Sequence, residues 1–131
     1  LGKVEAYRLA LFAADVAWQD VTRLMKDFRT RSLSDQLYRA LGSVSANIAE
    51  GYSRRAGRDR AHFYEYALGS AREGRDWYYK ARHVLGDETV GQRLELLTQV
   101  IRLLLRMVPE QRSRVLREGS PSYQTDDPAA V

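Results

Sequence analysis

Cysteine is absent from this chain, which excludes disulfide frameworks, thiolate metal sites and cysteine nucleophiles. Histidine is scarce, with only His62 and His83. A di-iron helical bundle needs Glu-x-x-His on each of two helices, and the sequence offers only the reversed His62-x-x-Glu65. No metal and no cofactor are therefore expected. Gly-rich phosphate loops, nucleophile elbows and His-Glu-x-x-His motifs are missing as well. No apolar run approaches the roughly 18 to 20 residues of a membrane span, and no signal-peptide pattern opens the chain, which begins at Leu1. The expectation is a cytoplasmic protein that does not engage a membrane.

What remains is one domain's worth of chain. At 131 residues, 44% apolar and 29% charged, the sequence suits a single soluble, helix-rich core. The net charge is +4 and the pI about 9.6. Of the 21 basic residues all but Lys3, Lys26 and Lys80 are arginine. A GC-rich coding sequence explains that bias; so does phosphate contact, because the planar guanidinium forks onto phosphate oxygens.

Periodicity predicts helices over about 3–28, 33–54, 59–85 and 88–108, with a short extension over 110–117. In the first, Val4, Tyr7, Leu11, Ala14, Trp18, Val21, Met25 and Phe28 recur at spacings of three and four, and Leu9, Phe12, Ala13, Val16 and Leu24 broaden the stripe. Ser32 or Ser34 is expected to cap the second helix. Leu37, Leu41, Val44 and Ile48 form its stripe, while Gly42, Ser43, Ser45, Ala46 and Ala49 are small enough for a neighbour to approach closely. Gly57 is the expected turn residue, with a positive φ. The third helix is expected to turn Phe63, Tyr66, Ala67, Ser70, Trp77, Ala81 and Val84 inward, leaving Tyr64, Tyr78 and Tyr79 outside, and to stop at Gly86. The fourth carries Val90, Leu94, Leu97, Ile101, Leu104 and Val108 and is apolar nearly all round. Pro109 should kink or end it. Residues 1–118 thus read as an all-α, antiparallel up-down-up-down four-helix bundle, and 119–131 as a disordered tail.

Two constellations carry what chemistry there is. If the second and third helices form a hairpin about Ala56, Ser43 falls near Ser70, Asn47 near Tyr66, Arg39 or Ala40 near Glu73 and Glu50 near Phe63. Such groups pair structurally, and Glu50–Arg54 is a favourable i,i+4 pair worth only a few tenths of a kcal/mol. A catalytic reading needs two carboxylates of separated pKa in a cleft, which nothing in the sequence supplies. The second constellation is basic: Arg54, Arg55, Arg58 and Arg60 beside Tyr52. It reads either as a solvated turn or as a phosphate-contacting patch with a stacking ring. Arg102, Arg106, Arg112, Arg114 and Arg117 should lie at the same end of the bundle, making one basic pole.

The stretch Ser43-Val44-Ser45-Ala46-Asn47-Ile48-Ala49-Glu50-Gly51, with Phe63, Ala67 and Gly69-Ser70-x-x-Glu73, resembles the "four helix bundle protein" or 23S rRNA-intervening-sequence protein family. Gln36-Leu37-x-Arg39-Ala40 and Val4-x-x-Tyr7-x-x-Ala10 are similar to further family motifs, and the match spans about 4–108. Phe28-Arg29 stands where Phe-Pro is usual, and Ser45 where proline is common. The resemblance implies small bacterial proteins with no established enzymatic activity, built as antiparallel four-helix bundles that assemble as homopentamers. By fold-level analogy it extends to the basic accessory protein of diversity-generating retroelements, which engages a reverse transcriptase and nucleic acid. The resulting expectation is a non-enzymatic homo-oligomer, about +20 as a pentamer, that binds RNA or DNA through its basic pole with low sequence specificity. The alternative is a scaffold that docks a protein partner without nucleic-acid contact.

Overall fold

The structure is a computed structural model that describes residues 2–118; the expected tail over 119–131 lies outside the described residues. Those residues are all-helical: α1 Gly2–Leu24, a 3-10 turn Phe28–Thr30, α2 Arg31–Ser53, α3 Gly57–Lys80, α4 Arg82–Leu85 and α5 Asp87–Glu118. The four long helices pack in a ring, with contacts between α1 and α2, α2 and α3, α3 and α5, and α5 and α1. Around the ring, Trp18 meets Tyr38, Ser43 meets Ser70, Arg75 meets Thr98, and Arg93 meets Asp20. None of the described helices is long and apolar enough to cross a membrane.

Several boundaries differ from the sequence reading. The expected first helix stops at Leu24, because the Thr30 hydroxyl turns back to the Leu24 carbonyl at 2.6 Å and the chain reverses there. Neither serine caps α2: Ser34 is buried and donates to the Arg31 carbonyl, while Ser32 is exposed. Gly57 is not a positive-φ turn residue but the first residue of α3; a Cβ there would sit 2.8 Å from the Gln111 carbonyl oxygen, so closeness to α5 accounts for its lack of a side chain. Gly86 does stop α4, with φ of 89°. Pro109 neither ends nor separates a helix, since α5 runs through it to Glu118. Pro109 and Leu105 lie on an exposed face, where water can take the carbonyl that proline leaves unbonded.

The core has two centres. One gathers Ala6, Ala10, Val44, Ile48, Tyr64, Ala67, Val100 and Leu104; the other Ala17, Leu24, Leu37, Leu41, Tyr78, Leu85 and Leu97. The expected stripe of α2 is wholly buried. That of α1 is only partly so: Val21, with Ala13 and Leu24 of its broadened edge, is buried, but Val4, Tyr7, Leu11, Trp18, Met25 and Phe28 are exposed, and Ala6, Ala10 and Ala17 take the core in their place. Alanines bring α1 close to its neighbours, and the bulky side chains are left on the outside. On α3 Tyr79 is exposed as expected, but the assignment of Tyr64, Tyr66 and Tyr78 is overturned. Tyr64 and Tyr78 are each 1% exposed, whereas Tyr66 is 52% exposed. Tyr64 packs its ring against Gly51, and Tyr78 finds a hydrogen-bond acceptor inside, the Asp20 carboxylate at 2.6 Å.

Candidate nucleic-acid interface

The α2–α3 connection is short because Arg54 and Ala56 are both extended, with ψ of 148° and 136°. The C-terminal end of α2 presents unsatisfied carbonyls and a partial negative charge, which attracts cations. Two arginines answer it: Arg60 donates Nε to the Arg54 carbonyl, and Arg114 donates Nη2 to the Arg55 carbonyl at 3.0 Å. The second bond carries α5 onto the turn. Arg112, one helical face away, reaches Glu65 on α3. Arg54 and Arg55 of the turn, with Arg58 and Arg60 at the start of α3, are thereby brought to one end of the molecule with Arg112 and Arg114 of α5. Arg106 lies exposed earlier on the same helix.

Not all of that charge faces outward unmatched. Arg54 pairs with Glu50 at 2.8 Å and lies 4.8 Å from the Phe63 ring centroid; Arg112 is matched by Glu65. Arg55, Arg58 and Arg106 are exposed and form no ion pair among the described residues. Tyr52 is 54% exposed, and the Lys3 ammonium stands 4.4 Å over its ring. Lys3 is a contributor that sequence spacing missed. It comes from the start of α1, and only the α1–α2 packing sets it beside Tyr52. Together these groups form a basic rim with one open aromatic face, suited to phosphate oxygens and a stacked base.

The small-residue stretch has a structural role. Ser43 and Ser70 hydroxyls meet at 2.8 Å, as the hairpin register requires. Asn47 does not face Tyr66; its amide bonds the Ser43 carbonyl and hydroxyl at 2.8 and 2.9 Å within its own helix. Arg39 does not reach Glu73 either, because Asp35 lies one turn away at 3.1 Å and takes the guanidinium. Glu73 accepts from the Trp77 indole instead, at 3.3 Å. Gly51 lets Tyr64 approach closely, since a Cβ would lie 2.7 Å from the Tyr64 ring and force it to shift.

Beside the rim, the outer surface of α1 and α2 holds an apolar groove of about 330 Å³ lined by Lys3, Val4, Tyr7, Ile48, Ala49 and Tyr52. Farther along, Trp18 and Tyr38 meet edge to face at 5.9 Å. These exposed apolar groups are what the bulky stripe of α1 becomes when alanines occupy the core.

The family model described as 23S rRNA-intervening sequence protein matches residues 2–106. No curated protein matches. Among solved structures, the chain is similar to a crystal structure of a protein of unknown function from the S23 ribosomal protein family of Bacteroides thetaiotaomicron VPI-5482. The TM-score is 0.77 at 19% identity, covering 83% of this chain and 99% of that one. At that identity the likeness is one of fold.

Proposed function

The chain belongs to the 23S rRNA-intervening sequence protein family, and from that premise we propose that it is a non-enzymatic, self-assembling bundle of up-down-up-down topology that binds RNA or DNA through phosphates. The observation that carries the reading is the meeting of the α2–α3 turn with the end of α5. Arg55 and Arg58 are exposed there without carboxylate partners among the described residues, Arg106 lies exposed farther back along α5, and Tyr52 and Lys3 stand at the rim. Contacts of this kind follow backbone charge and carry little sequence information. Assembly as a homopentamer is supported by the family resemblance and by the unpartnered apolar face of α1 and α2.

Fluorescence anisotropy against labelled RNA and DNA between about 50 and 200 mM salt tests the binding. Log affinity falls linearly with log salt, and Arg55→Ala with Arg58→Ala lowers the slope by about 1.4 for a single strand, roughly 0.7 for each phosphate no longer neutralised. Absence of binding by the wild-type protein at low salt rejects the reading. The scaffold alternative draws on the same apolar face; recovery of a protein partner from nuclease-treated lysate, with no nucleic-acid affinity, would favour it.

A further inference from the structure

The opposite end of the molecule has a turn that the reading above leaves unused. Asp27 organises it: Oδ1 accepts the Arg29 backbone N–H at 3.0 Å and Nε at 2.9 Å, and Oδ2 accepts Nη2 at 2.7 Å. Thr30 is buried, its hydroxyl on the Leu24 carbonyl and its amide on the Asp27 carbonyl. Arg31 Nε reaches the Met25 carbonyl at 3.3 Å. A backbone tied at so many points holds Phe28 outward, 78% exposed, with Met25 beside it in the chain at 58%. The ring is displayed on a backbone with little conformational freedom left to lose on binding.

Charge at this end is unbalanced toward cations. Asp27 neutralises Arg29, Arg39 holds Asp35 and Lys80 holds Asp76. Lys26 forms no ion pair among the described residues, while Arg23 and Arg31 give donors to carbonyls of Val84 and Met25 and keep their charge uncancelled. The Arg23 bond draws α4 alongside, bringing Arg82, whose guanidinium lies 4.1 Å over Tyr79. Asp87 and Glu88 are the opposing carboxylates, in the first turn of α5 where the helix dipole favours them.

We propose that the α1–α2 turn is a second nucleic-acid contact, at which Phe28 stacks on an unpaired base while Lys26 and Arg31 meet flanking phosphates. The proposal rests on the nucleic-acid reading of the other pole, about 34 Å away along the 23 residues of α2. A ring flanked by cations is the repeating unit of single-strand binding surfaces. One ring and one thioether are too little apolar surface to anchor a bilayer.

The test is anisotropy with a labelled uridine oligonucleotide of about 12 nucleotides, and with a duplex of similar length, on the full chain. Phe28→Ala is expected to weaken single-strand binding at least fivefold, the low end of about 1 kcal/mol per stacked base, and to leave duplex binding within about twofold. Lys26→Ala with Arg31→Ala is expected to lower the single-strand salt slope by about 1.4. If these variants bind as wild type does while Arg55→Ala with Arg58→Ala loses affinity, the second contact is overturned and the first pole stands. If wild type binds nothing, both fall. A change in assembly mass for Phe28→Ala by light scattering would place the ring in a subunit contact and overturn the proposal. So would loss of binding to phosphatidylserine vesicles with RNA affinity unchanged.

Discussion

At the scale of single residues, Asp20 is held from several sides. It is 2% exposed, yet it accepts from Tyr78 Oη at 2.6 Å and from Arg93 Nε and Nη2 at 2.7 and 3.2 Å. Removing one partner of a buried ion pair leaves the other charge unsatisfied, so Asp20→Ala is expected to cost about 3 kcal/mol, read by denaturant unfolding. Burial raises the pKa of Tyr64, and burial together with the Asp20 carboxylate raises that of Tyr78. Both folded-state values exceed the unfolded one near 10, so their contribution to stability is complete below that pH and is lost as pH climbs above it. Absorbance at 295 nm during alkaline titration should therefore show Tyr78 ionising only as the fold opens and Tyr64 ionising later than the exposed tyrosines among the eight. Glycines give a matched pair of outcomes. A Cβ at Gly51 strikes the Tyr64 ring at 2.7 Å, whereas one at Gly42 meets nothing within 4 Å. Gly51→Ala should destabilise by about 1–3 kcal/mol, and Gly42→Ala should stabilise by up to about 1 kcal/mol, both measurable by thermal melting. Only the first distinction is half legible in sequence, as a cluster of small residues without a partner named.

At the scale of elements, α1 holds two stripes at helical spacing, one bulky and one of alanine. Hydrophobicity favours the bulky set, which is why sequence reasoning chooses Tyr7, Leu11 and Trp18 for the core. The fold chooses Ala6, Ala10, Ala13 and Ala17, because small side chains let α1 sit close to α2 and α5. Leu11→Lys with Trp18→Lys should then leave helical content by circular dichroism within error while collapsing the assembly mass seen by light scattering. Unfolding on that double change would instead return the bulky stripe to the core. α5 makes a complementary point. Its apolar residues are legible because they cover most of its circumference, so an error in helix phase costs little. Pro109→Ala should raise stability by up to about 3 kcal/mol, since it restores a helical N–H in an uninterrupted helix.

At the scale of the whole molecule, antiparallel neighbours send unlike parts of the sequence to the same end. Residues 54–60 and 112–114 converge, as do 23–31 and 82–84. Proximity of the first pair is foreseeable from helix order alone. What is not foreseeable is how much of the charge is already engaged: Arg54 and Arg112 by carboxylates, Arg60 and Arg114 by carbonyls of the α2–α3 turn. Light scattering on the wild-type protein should give about 75 kDa if five copies of the 15.0 kDa chain assemble. A mass of one chain would refute the proposed assembly and leave the apolar face unexplained.

By itself the sequence determined the all-helical class, the four long helices and the inward face of α2, because these depend on local periodicity and on breakers such as Gly86; the break at Ala81 that separates α4 from α3 is not legible there. It also determined that chemistry based on thiols was absent. Only tertiary structure decided which stripe of α1 is core, that Tyr64 and Tyr78 point inward, that Asp20 is buried with Arg93, and which arginines remain open. Each of those outcomes depends on how near two helices distant in sequence approach one another. That distance is set by side chains on both partners at once, and no single window of sequence contains it.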